Sequence, residues 1–117
     1  MIRIKRVYSE PSPRDGMRIL VDRMWPRGIS KARASIADWR RDFAPSASLR
    51  KWFGHEPIKW PEFQKRYQWE LARSGMMDEL SKLAHLSRKR TITLIYSAAD
   101  EEHNQAVVLK ELLEKLV

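Results

Sequence analysis

Two periods of hydrophobicity alternate along the 117 residues, and the points where one gives way to the other outline a fold. In "IRIKRVY" the apolar residues Ile2, Ile4 and Tyr8 alternate with Arg3 and Lys5, the period-two pattern of a strand. "SEPSPRDG", with two prolines and an Asp-Gly, predicts a turn or short loop. "MRILVDR" predicts a second, more buried strand ending near Asp22. "SIADWRRDFAPS" fits a short helix or an extended piece, and an extended or irregular segment closed by Ala44-Pro45 is the preferred reading.

The period then changes. "SASLRKWFG" reads as one or two helical turns stopped by Gly54. In "PIKWPEFQKRYQWELARSG" Trp60, Phe63, Tyr67 and Leu71 recur at helical spacing, which predicts an amphipathic helix with an aromatic core stripe ending at Gly75. Met77, Leu80, Leu83 and Ala84 predict a second helix. "TITLIYS" is an almost unbroken apolar, β-branched run, as in a central strand covered on both faces. Leu109, Leu112, Leu113 and Leu116 then share one face of a last helix. Strands alternating with helices in this order predict a single α/β domain over residues 1–117, with a small, mostly parallel central sheet and helices packed on its faces.

Composition narrows the chemistry. The absence of Cys excludes a disulfide framework, thiolate metal ligands and cysteine nucleophiles, and it fits a reducing compartment. Apolar runs are short and the amino terminus is charged, so the expectation is a cytoplasmic protein with no membrane segment. Net charge is +8, unevenly placed: residues 1–90 carry 21 Lys and Arg against 10 Asp and Glu, whereas residues 91–117 carry 2 against 5. A basic body makes anions obvious partners. His55, His85 and His103 form no zinc-binding pair, and Walker and dinucleotide glycine signatures are absent, so no metal is expected and no cofactor is indicated.

In an open parallel sheet, ligands bind outside the carboxyl ends of the strands. Two loops belong there: "DRMWPRG" after the second strand and "YSAADEEHN" after the last. The first suits an anion or a nucleotide, because Arg23 and Arg27 offer forked donors and Trp25 a stacking face. The competing reading has Arg23 paired with Asp22 or Asp38 and Trp25 plugging the sheet. The second loop would contribute Tyr96, Ser97 and Asn104 as ligand contacts, with Asp100 and His103 as a proton-transfer pair. Helix capping competes here too: Ser97 and Asp100 are spaced as a capping box, with Asp100, Glu101 and Glu102 in a first helical turn. A triad of Ser97, His103 and Asp100 is available in number but lacks a nucleophile elbow. "WFGHEP" reads as a buried aromatic connector with His55 at its rim.

Read in order, "DRMWPRG", "APSASLRKWFGHEP", "W..F..RY" and "LIYSAADEEHNQAVVLKE" closely resemble the YeaO-like branch of the domain of unknown function 488 family, over nearly the whole chain. The resemblance implies an α/β fold and supports the site without supplying a reaction. Broader members carry "CAE" and "CHR" where this chain has "YSA" at Tyr96–Ala98 and "NQA" at Asn104–Ala106, so thiol or metal chemistry does not transfer. Their "DVR..P.SR" matches Asp22, Arg23, Pro26 and Arg27 or Gly28 better. The expected function is therefore binding of an anionic or nucleotide-like small molecule at the strand ends, with catalysis an open alternative. A basic nucleic-acid-binding accessory protein is the rival reading.

Overall fold

The computed structural model describes all 117 residues. Four parallel strands, β1 (Ile2–Arg6), β2 (Met17–Leu20), β3 (Asp38–Trp39) and β4 (Ile92–Tyr96), form one sheet in the order β1-β4-β2-β3. The unbroken apolar run of β4 is explained by its position: it lies between β1 and β2, and all five of its residues are buried. "SIADWRRDFAPS" is extended only over the two residues of β3, then tightens into a 3-10 turn at Arg41–Phe43.

The helices are α1 (Lys31–Ala34), α2 (Ala47–Phe53), α3 (Trp60–Arg73), α4 (Met77–Leu86) and α5 (Gln105–Leu116). Alternation along the strands separates two cores. Ile19, Val21, Leu94 and Tyr96 point to one face, where α2 to α5 pack through Phe53, Phe63, Tyr67, Leu80, Leu109 and others. Val7, Leu20 and Ile95 point to the other, covered by Ala34 of α1 together with Trp25, Ile29, Ile36 and Trp39. Helices thus cover both faces unevenly. The short α1, capped by Ser30, has no clear periodic signal in "ISKARAS".

The connection from β1 to β2 must carry the chain back past β4 without an α-helix. It turns at Pro13–Asp15, where Ser12 and Asp15 form a reciprocal capping box. Gly16 follows with φ +63, and a Cβ there would lie 2.2 Å from the Thr91 carbonyl oxygen. That oxygen accepts the Met17 N–H at 3.0 Å, so it cannot retreat without opening the sheet. Gly16→Ala should therefore lower stability by about 2–4 kcal/mol, read as a lower urea midpoint at unchanged m. Gly75, at φ +80 with open space around it, is the control and should lose only about 1 kcal/mol as alanine.

Candidate functional site

The carboxyl ends of β1, β2 and β4 open onto a crevice of about 660 Å³. Its walls are Tyr8 after β1, the run Asp22–Arg27 after β2, Ser97–Asp100 after β4, and Gln105 at the start of α5. The fourth side comes from α2 and the turn after it, through Pro45, Arg50 and His55. The two loops singled out in the sequence therefore face one concavity, in agreement with the strand-end rule.

Local chemistry fixes each wall. Tyr8 donates its hydroxyl to the Arg27 carbonyl at 3.0 Å, pinning the tip of the β2 loop to the end of β1. Trp25 is half-buried: its indole N–H donates to the Ile29 carbonyl at 2.6 Å and its ring meets Trp39 edge-on at 5.4 Å. The wall after β4 is tied down by Arg6, which donates to the carbonyls of Ala98 at 2.9 Å and Ser97 at 3.3 Å. Ser46 caps α2 by accepting the Leu49 N–H, and Glu70 of α3 receives both the Ser46 N–H at 2.9 Å and its hydroxyl at 2.6 Å. This clamp aims α2 so that Arg50 reaches the crevice. Gly54 ends α2 in the left-handed region and His55 continues there at φ 57, an uncommon conformation for a residue with a Cβ.

Arg23 pairs with neither Asp22 nor Asp38; its Nε donates to the Pro45 carbonyl at 3.2 Å. Arg23, Arg27 and Arg50 are exposed and belong to none of the chain's ion pairs. Asp22 is instead a buried junction between the loops. Its carboxylate accepts the Ser97 N–H at 3.0 Å and the Gln105 side-chain amide, while its carbonyl accepts the Trp39 indole N–H at 2.7 Å. Burial raises its pKa above the ordinary aspartate value, against the opposing pull of the Ser97 and Gln105 donors and the Arg50 charge.

Two residues expected as ligand contacts are not among the walls of this crevice. Tyr96 is 1% exposed and belongs to the larger core, so its ring offers no stacking face in the crevice; the all-buried register of β4 explains why. Burial and the nearby Glu101 charge push its phenol upward. Asn104 is buried as the cap of α5: its Oδ1 accepts the N–H groups of Ala106 and Val107, and its Nδ2 donates to the Asp100 carbonyl. That cap also revises the helix start. Asp100, Glu101 and Glu102 precede α5 in a bend instead of forming its first turn.

Asp100 and His103, expected as a proton-transfer pair, are hydrogen-bonded, with His103 Nδ1 2.8 Å from Asp100 Oδ2. Asp100 Oδ1 accepts the N–H groups of Glu102 and His103, and these bonds, with the His103 ring, hold its carboxyl below the usual range. Asp100 lines the crevice, but His103 lies around a corner, beside Trp60. Ser97 contributes its backbone N–H to Asp22 and no bond to His103, so the triad does not form. No three His, Cys, Asp or Glu side chains gather as a metal site.

Three participants escaped the sequence reading as site residues: Asp22, Arg50 and His55. Arg50 and His55 reach the crevice only through the packing of α2 on α3, which has no local signature. Asp22 does have one, as a carboxylate ending an apolar strand.

Fold and crevice together define a single-domain parallel α/β protein with an arginine-lined cleft at its strand ends. Residues 1–117 match the family described as "Inactive DUF488-N3 subclade", and the chain belongs to it. The chain is 41% identical to the uncharacterised protein YeaO of Escherichia coli strain K12 over 115 residues, 98% of each chain. It is also 41% identical to the uncharacterised protein Rv3073c of Mycobacterium tuberculosis strain H37Rv over 112 residues, 96% of this chain and 92% of that one. No solved structure matches significantly. No helix is long and apolar enough to cross a membrane.

Proposed function

We propose that the protein binds a small anionic molecule in the strand-end crevice and acts by binding, not by turnover. The observation that carries this reading is the convergence of Arg23, Arg27 and Arg50 on one concavity, with none of them in an ion pair. Guanidinium forks match phosphate and carboxylate oxygens two at a time. Asp22 and Asp100 line the same crevice and reduce the net positive field without cancelling it. Trp25 presents part of its ring as an apolar wall. The word "inactive" in the family description favours binding over catalysis, and so does the turn-stabilising use of Asp100.

Calorimetric titration with pyrophosphate tests the proposal. Arg27→Ala and Arg50→Ala should each weaken binding by about three- to tenfold, as expected for exposed charges partly screened by water. Pyrophosphate binding that ignores both substitutions would refute it. Duplex DNA supplies the rival arm: contacts to many phosphates make affinity fall steeply with salt, with a slope near −0.9 per neutralised phosphate. DNA binding should be weak, indifferent to sequence and largely lost at physiological salt. Tight, sequence-selective binding that survives such salt would favour the nucleic-acid reading.

A further inference from the structure

A second cleft, of about 440 Å³, opens beside the crevice and differs from it in character. Met24, Pro45, Arg50, His55, Ala98 and Gln105 line both, so the two form one continuous groove, with Arg50 the one arginine at the junction. Beyond Arg50 the walls gain apolar surface from Ala47, Phe53 and Phe63, with Lys51, His103 and Asn104 standing among them. Phe53 of α2 and Phe63 of α3 stack with ring centroids 4.4 Å apart; they are core residues, 5% and 2% exposed, but unlike Tyr96 each presents an edge to a cleft. Ala47, the first residue of α2, borders it with only a methyl group. At the rim stands His103, fixed by its bond to Asp100 and by edge-on contact with Trp60 at 5.2 Å.

We propose that the ligand is an organic anion with two parts: a phosphate or carboxylate held by the arginines, and an apolar body about the size of one ring seated against Phe53 and Phe63. This inference rests on the anion-binding reading of the crevice and deepens it. An inorganic anion would satisfy the guanidinium groups and leave the aromatic cleft to water. A molecule carrying both parts covers apolar surface and neutralises charge at once, and Arg50 is placed to contact the charged group where the two parts join. Sites of this kind are largely apolar, with a few polar groups that fix orientation.

The test compares inorganic phosphate, phenyl phosphate and phenol by NMR titration of the wild type, Arg50→Ala and Ala47→Trp. Phenyl phosphate should bind about tenfold or more tightly than phosphate, the effect of removing one ring from water. Phenol should bind more weakly than phenyl phosphate, and Arg50→Ala should weaken both anions. Ala47→Trp fills the cleft from its border, so it should erase the phenyl advantage and leave phosphate binding within about twofold. Ala47→Leu, a smaller addition at the same exposed position, should do so partially and guards against a misfolded tryptophan variant. Equal affinity for the two anions, or a phenyl advantage that survives in a folded Ala47→Trp protein, would overturn the two-part ligand while sparing the anion site. Failure of both anions to bind would remove the crevice reading itself, and this inference with it.

Discussion

Asp15→Ala should cost about 3–5 kcal/mol and be the most damaging single substitution outside the apolar core, because it strands a buried cation. Arg18 is 4% exposed and points into the smaller core from β2. Its Nη1 donates to Asp15 at 2.6 Å, and its Nε and Nη2 donate to the Ala34 carbonyl. Asp15 also receives Lys5 at 3.2 Å and the Ser12 N–H at 3.0 Å, and its carbonyl accepts the Thr93 hydroxyl. One carboxylate thus joins β1, the β1–β2 connection and β2, and through Ala34 it indirectly holds α1 against the sheet. Truncating it leaves the Arg18 charge with only a carbonyl for company. The measurement is a urea titration; a loss under about 1 kcal/mol would show that Arg18 finds another partner.

The same cluster sets a pH dependence. Burial alone would raise the Asp15 pKa, but the Ser12 N–H together with Lys5 and Arg18 outweighs it and the net shift is downward. A carboxylate with a lowered folded pKa contributes stability above its unfolded value and loses it as pH falls through the folded one. Asp15→Asn should therefore flatten the acid limb of stability against pH, below the ordinary aspartate range, and matter less there than at neutral pH.

How far the sequence disclosed this molecule depended on how local each signal was. β4 was legible because a fully buried parallel strand needs an unbroken apolar run, and α3 because its aromatic stripe has helical spacing. The strand-end loops followed from topology alone. Tyr96 misled because a tyrosine at a strand end next to a loop looks available, whereas the register of β4 turns it into the helix-covered core. The start of α5 misled for a related reason: Ser97 and Asp100 imitate a capping box, and only the observed chain path shows that the real cap, Asn104, comes later. Arg50 could not be found locally, since its place in the crevice depends on the Ser46–Glu70 clamp between residues 24 positions apart. Arg18 was hidden inside a run read as apolar.

Asp22→Asn should tighten anion binding by about ten- to a hundredfold, the largest binding change expected from a single substitution in the crevice. A buried carboxylate about 6 Å from a bound anion, at an effective dielectric near 20, opposes it by about 3 kcal/mol per unit charge, and water in the open crevice reduces that. The substitution preserves shape. The asparagine oxygen can accept the Ser97 N–H, and its amide can donate to Gln105 once that side chain turns its own oxygen inward. Asp22→Ala, by contrast, leaves the Ser97 N–H unpaired and should cost about 1–3 kcal/mol of stability. The sign of the pH effect differs from that at Asp15. Because the folded pKa of Asp22 is raised, its contribution to stability is fully present below the unfolded value and is lost as pH rises through the folded one. Ionised Asp22 therefore opposes folding at neutral pH, and Asp22→Asn should be at least as stable there as the wild type. Sulfate, whose charge is constant over the range, is the probe: wild-type affinity should rise as pH falls through the Asp22 titration. The same titration of Asp22→Asn isolates the Asp22 component, which that protein should lack. A folded Asp22→Asn protein that binds sulfate no better than the wild type at neutral pH would mean that the anion does not sit beside Asp22.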